Sequence, residues 1–187
     1  MSDIQNVRLA ALVALAEKRP KLGRTAFMKL CYFLQTLRKV PLGYRFTLYS
    51  YGPFDSAVLS DLSSAEALGG LRSETVLYPM QNNYGYEIVA SKRSKAVKAL
   101  ATEFLQQYGS EIDWVIEQFA NCGSADLELL STIIYVDRES AMANETLTPE
   151  DLTKRVHEVK PHFPESYIRE KVVDLHRRGL LKSVGAT

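Results

Sequence analysis

Apolar residues recur at helical spacing over the first forty positions. Ile4, Val7, Ala11, Leu12 and Leu15 predict a helix over 4–18, ended by Pro20 and Gly23. A second stripe, Phe27, Leu30, Cys31, Leu34 and Leu37, predicts a helix over 25–38. Arg38 and Lys39 close it, where cations suit the helix dipole. The pattern then changes, because residues 44–51 are aromatic and β-favouring and read as a short strand. Gly52 and Pro53 turn the chain into a third helix with Asp55 as its N-cap. Phe54 and Leu59 have the spacing of a hydrophobic staple, and Val58, Leu62 and Ala65 form the inner face. Gly69 or Gly70 can take the left-handed C-terminal conformation.

Residues 71–78 and 84–90 are β-like runs around Pro79 to Asn83, which predicts a hairpin. Ser91 then caps a long fourth helix running through Leu105. Further helices are expected over 111–120, 125–137, 149–159 and 165–178. Thr148-Pro149-Glu150-Asp151 has the marks of a helix start, and Gly179 those of a stop. The expected fold class is α+β and mostly helical. A winged-helix-like domain over 1–108 would contain helices, a short strand and a β-hairpin wing. A helical extension over 109–187 would pack on it. Leu30, Leu34, Phe46, Leu62 and Leu68 are expected to share one core.

Composition narrows the class. A hydrophobic fraction of 46% with 24% charge is ordinary for a soluble globular chain, so neither disorder nor a membrane span is indicated. The longest apolar run, 9–16, is too short to cross a bilayer, and no membrane partner is expected. The first residues lack the order of a secretory signal, and Cys31 and Cys122 make no disulfide framework. A cytoplasmic location is expected. Charge is blocked along the sequence: residues 1–50 carry nine Lys/Arg against two acids, and residues 111–150 one Arg against nine acids. Either another chain supplies the complementary charge, or the basic N-terminal half pairs with the acidic block.

Catalytic motifs are missing. His157, His162 and His176 lack metal-site spacing, and there is no phosphate loop, nucleophile elbow or zincin motif. Cys31 sits in a core stripe, and no histidine neighbours Cys122 in sequence to activate it. Asp126 with Glu128, and Asp137 with Glu139, are spaced two apart and face different sides of a helix. No catalytic residue, metal or cofactor is expected, and the chain reads as a non-enzyme.

Binding has two candidate surfaces. Tyr49, Tyr51, Pro53 and Phe54 could contact a partner, or could form a structural corner. Lys92, Arg93, Lys95 and Lys98 could contact an anion or nucleic acid. At the start of a helix each would oppose the dipole at a cost of roughly 0.3–1 kcal/mol. The third helix holds Asp61 and Glu66 and no Lys or Arg, which disfavours groove reading by that helix. The last helix, with Arg169, Lys171, Arg177 and Arg178, reads as an ordinary amphipathic end helix.

At Lys29-Leu30, Tyr32-Phe33-Leu34-Gln35, Phe46, Tyr49, Tyr51-Gly52-Pro53-Phe54 and Asp61-Leu62 the chain resembles the YwgA-like family. More distantly it is similar to the Panacea, or SocA-like, antitoxin domain. The resemblance covers roughly residues 20–90. It implies a small cytoplasmic protein without an assigned reaction, and through the Panacea relatives one that neutralises a toxin by binding it. The expected function is therefore non-enzymatic, regulatory and antitoxin-like, acting through a protein partner. The alternative is a winged-helix DNA-binding transcriptional regulator with weak nucleic-acid contact.

Overall fold

The first helix is buried further round than its apolar stripe predicts. In the computed structural model, which describes residues 2–78 and 83–185, α1 (Asp3–Lys18) buries every residue from Leu9 to Ala16. Four alanines, at 10, 11, 14 and 16, let neighbouring elements approach on several sides at once. In order there follow α2 (Arg24–Leu37), β1 (Thr47–Tyr49), β2 (Gly52–Phe54), α3 (Ser56–Ala67), β3 (Leu71–Tyr78) and β4 (Asn83–Ala90). The rest is α4 (Ser94–Lys98), a single 3₁₀ turn (Ala99–Ala101), α5 (Thr102–Phe119), α6 (Ser124–Met142), α7 (Pro149–Val159) and α8 (Glu165–Arg177). The fold is α+β and mostly helical, with two separate antiparallel two-stranded sheets, β1–β2 and β3–β4. Among the described residues no helix is long and apolar enough to cross a membrane.

Backbone contacts divide the chain into two units, Met1–Thr47 with Phe54–Ser124, and Leu48–Pro53 with Ala125–Thr187. Residue 108, the boundary expected from sequence, lies inside α5.

In the first unit α1 packs against α3, α4, α5 and β4, and α2 packs against α3 and α5. Leu30 and Leu34 are fully buried and Leu62 nearly so. Phe46 and Leu68, expected in the same core, are only half-buried. Phe46 lies at the flank, its ring edge-on to Tyr32 with centroids 5.2 Å apart. The strand expected over 44–51 also shortens to Thr47–Tyr49. Gln35 explains this locally: its side chain accepts from the Tyr44 amide at 2.9 Å and donates to the Tyr44 carbonyl at 2.8 Å. Those groups are thus satisfied without a ladder.

A buried polar group ties this segment to α1. Arg8 Nε and Nη2 each donate at 2.6 Å, to the Leu42 and Gly43 carbonyls, and the guanidinium lies 4.3 Å from the Tyr44 ring centroid. Tyr44 donates its hydroxyl to Asp61 Oδ2 at 3.1 Å, and Arg8 Nη1 stands 3.7 Å from the same oxygen. Burial pushes the Asp61 carboxyl above its ordinary value of 3.8, while Tyr44 and Arg8 pull the other way without cancelling it. Burial, chiefly, also pushes the Tyr44 phenol up.

Three ion pairs inside this unit join residues far apart in sequence: Lys18 with Asp113, Arg38 with Glu111, and Lys98 with Glu17. Arg38 also lies over the Trp114 ring, 4.7 Å from its centroid. Two of these pairs join the basic N-terminal half to the start of the acidic block, so there the chain supplies its own complementary charge.

The β3–β4 ladder runs from Leu71↔Ala90 to Tyr78↔Asn83, and loop residues 79–82 lie outside the described residues. Leu22, between α1 and α2, bridges to Ile88 on β4, with Ile88 N donating to the Leu22 carbonyl at 2.9 Å. Gly70, just before β3, permits a close approach: a Cβ there would stand 2.7 Å from Val97 Cγ2 and 3.1 Å from Val13 Cγ2. The long helix expected after Ser91 is interrupted, because Ala101 at φ −145°, ψ 52° leaves the helical region between α4 and α5.

In the second unit α7 packs against α8. The helix start expected at Thr148 forms, and goes further into a reciprocal capping box, Thr148 Oγ1 accepting from Asp151 N at 3.1 Å and Asp151 Oδ2 from Thr148 N at 3.2 Å. Those Thr148 bonds hold the Asp151 carboxyl below its usual range. Asp137, fully buried on α6, accepts from the amides of Lys182 and Ser183 and from the Ser183 hydroxyl, and pairs with Arg138.

Leu34→Ala opens a cavity beneath α2 and is expected to cost about 2–5 kcal/mol, read as a lower urea midpoint at unchanged slope. Asp61 gives a pH prediction. Its raised folded value contributes stability that is present below 3.8 and is lost as pH rises through that folded value. Asp61→Asn does not titrate, so its stability relative to the native chain should improve as pH rises from below 3.8. Unfolding across that range checks the sign.

Candidate functional site

Strands β1 and β2 form a short hairpin, so the Tyr-Gly-Pro-Phe segment, expected as a corner, supplies its second arm. Tyr49 is 63% exposed and Tyr51 74%, although both are large aromatics. Pro53 is buried and Phe54 half-buried. Of the four residues singled out for partner contact, the two tyrosines are thus presented outward. Pro53 and Phe54 have the placement of a structural corner.

The turn of this hairpin is held by a buried charge within the second unit. Lys160, only 2% exposed at the C-terminal end of α7, donates its ammonium to the Ser50 carbonyl and to Glu128 Oε1, the latter at 2.8 Å. His162 Nε2 stands 3.4 Å from the same carboxylate oxygen, at the exposed rim. Gly52 follows directly on the turn with φ +85°, and its missing side chain is required twice over. A Cβ there would meet Thr132 Oγ1 at 3.0 Å, Ser131 Oγ at 3.1 Å and the Glu128 carbonyl at 3.3 Å. Both those hydroxyls already donate to the Glu128 carbonyl, at 2.8 Å from Thr132 and 3.0 Å from Ser131. The tyrosines therefore stand on a turn fixed by packed, satisfied polar groups.

The basic turn lies in the first unit. Lys92, Arg93 and Lys95 are exposed and, among the described residues, have no ion-pair partner, while Lys98 pairs with Glu17. Because α4 ends at Lys98, Lys95 and Lys98 occupy the last turn of a short helix, not the first turn of a long one. At Lys98, the C-terminal residue of α4, the expected dipole penalty is absent. Lys95, Lys98, Ala99, Thr102, Leu105 and Gln106 line a shallow depression of about 370 Å³.

The groups weighed for catalysis are placed as follows. Cys31 is fully buried, and burial above all, with Asp61 adding to it, pushes its thiol up, away from the thiolate a nucleophile needs. His157 Nδ1 lies 3.2 Å from the Phe163 carbonyl. Among the described residues no group of three His, Cys, Asp or Glu side chains is set to hold a metal ion.

Sequence reasoning missed Lys160 and Arg8, and weighed Glu128 only as an acid paired with Asp126. A usable signal existed for Glu128: it is the one acid in the run Leu127 to Ile134, and an acid inside such a run needs a buried partner. Nothing in the local sequence points from there to Lys160.

Lys160→Met removes the cation and leaves the buried Glu128 with only the rim residue His162 beside it. It is expected to destabilise the protein by about 3–5 kcal/mol, and the double variant Lys160→Met with Glu128→Leu by much less. Urea unfolding of the three proteins measures both steps.

No family model matches the chain, and no curated protein matches it.

Proposed function

We propose that this chain is a non-enzymatic regulatory protein of antitoxin-like type that engages a protein partner through Tyr49 and Tyr51. The observation that carries the reading is their exposure on a fixed turn. Aromatic side chains contribute large contact area, and a rigid support lowers the ordering cost of association. The proposal includes a winged-helix arrangement of the first unit. It draws support from the order α1, α2, α3, β3, β4 and from the Leu22–Ile88 bridge, which ties the hairpin to the segment between the first two helices.

A DNA-binding regulator is the second reading. The specific observation in its favour is the exposed Lys92, Arg93 and Lys95 directly after the β3–β4 hairpin. Against it, α3 carries no Lys or Arg, so a groove-reading helix would bring no cation to phosphate.

Co-purification from the host of the native chain and of a Tyr49→Ala, Tyr51→Ala double variant tests the first reading. Both sites are exposed, so the double variant should keep the native urea midpoint and lose the partner. Recovery of the same partner by both proteins overturns the proposal. For the second reading, any duplex binding should be steeply salt-dependent and lost in a Lys92, Arg93, Lys95 triple alanine variant. Fluorescence anisotropy against salt measures it.

A further inference from the structure

The depression between α4 and α5 has a composition that the tyrosine hairpin does not explain. Its floor is apolar, from Ala99 and the half-buried Leu105, and Leu100 beside it is 42% exposed. Thr102 and Gln106 add polar groups at the rim, and no acidic side chain lines it. One edge carries Lys95, with Lys92 and Arg93 just before it in sequence, all three exposed. Glu17 already occupies Lys98. What remains is an apolar floor with the exposed Lys95 at its edge and the exposed Lys92 and Arg93 just before it in sequence, in a unit where Lys18 and Arg38 are paired with acids of α5.

We infer that this depression is a docking groove for an acidic amphipathic segment of a protein partner. An aliphatic side chain of the segment fills the space over Ala99 and Leu105, and carboxylates on its flanks meet Lys95, Lys92 and Arg93. Charge selects the segment and steers it, while apolar burial supplies affinity. Nucleic acid suits the groove less well, because no aromatic ring lines it for a base to stack on. The groove uses residues separate from Tyr49 and Tyr51, so the inference stands or falls apart from the hairpin reading.

The test uses the full chain and three labelled probes. One is a peptide of about sixteen residues with Leu at helical spacing and Glu elsewhere, the second the same peptide with Lys for Glu, and the third a single-stranded oligonucleotide of similar length. Native protein should bind the acidic peptide in preference to both others. Lys95→Glu and, independently, Thr102→Glu should each weaken that binding about tenfold, a loss of about 1.4 kcal/mol. Both positions are exposed, and a glutamate at the start of α5 suits the helix dipole, so both variants should fold. The Tyr49→Ala, Tyr51→Ala variant should bind the acidic peptide as the native chain does. Failure of the native chain to bind that peptide, equal binding of the acidic and basic peptides, unchanged binding in both charge variants, or tighter binding of the oligonucleotide overturns the inference. So does loss of binding in the tyrosine variant.

Discussion

A lysine ammonium withdrawn from water must find acceptors, and Lys160 finds one in Glu128 and one in the Ser50 carbonyl. The second acceptor is main chain at the turn of the β1–β2 hairpin, so the cost of burying one cation fixes the course of a segment 110 positions away in sequence. Gly52 then lies against the Glu128 carbonyl and the two hydroxyls already bonded to it. No hydroxyl in that set is left to compete for the turn. The outward direction of Tyr49 and Tyr51 follows from this arrangement, because the turn between them is held through its backbone.

Charge plays a different part in the first unit. The pairs Lys18–Asp113, Arg38–Glu111 and Lys98–Glu17 have partly exposed members, and each contributes only about 0–1 kcal/mol. Their effect lies in which cations they leave over. The basic N-terminal half spends Lys18 and Arg38 on acids of α5 and Arg8 on carbonyls of its own unit, whereas among the described residues Lys92, Arg93 and Lys95 meet no acid in an ion pair. Charge blocks along a sequence are thus poor guides to surface potential. Which members meet is decided by the packing of α1 against α5, and that packing is set by alanines and leucines.

Legibility in the sequence followed the range of the forces involved. Local signals did well: the helix start at Thr148, the Asp55 cap with Ala57 N at 2.9 Å, and the β3 and β4 runs all stand close to their expected bounds. The tyrosines were singled out with Pro53 and Phe54 as partner contacts or a corner, and the structure separates the exposed Tyr49 and Tyr51 from the buried Pro53 and half-buried Phe54. Elements set by distant partners were not legible. Residues 44–46 had strand propensity, but Gln35 and Arg8 bond the backbone around them and draw it out of the ladder. The break at Ala101 carries no Pro or Gly, so a continuous helix was the natural reading. Lys160 and Glu128 lie 32 positions apart, beyond what any periodicity can link.

Asp137 carries a consequence for how the molecule is made. Its buried carboxylate is completed by two amides and a hydroxyl from residues 45 and 46 positions later in the chain. Until those residues have been synthesised, α6 presents a carboxylate that has Arg138 beside it but lacks the main-chain donors that complete it, at a position that will be fully buried. A nascent chain halted between α6 and α8 would hold that helix short of its final packing. Contacts closed over such separations form late. The order of the second unit therefore waits on Lys182 and Ser183, long after α6 itself has been made.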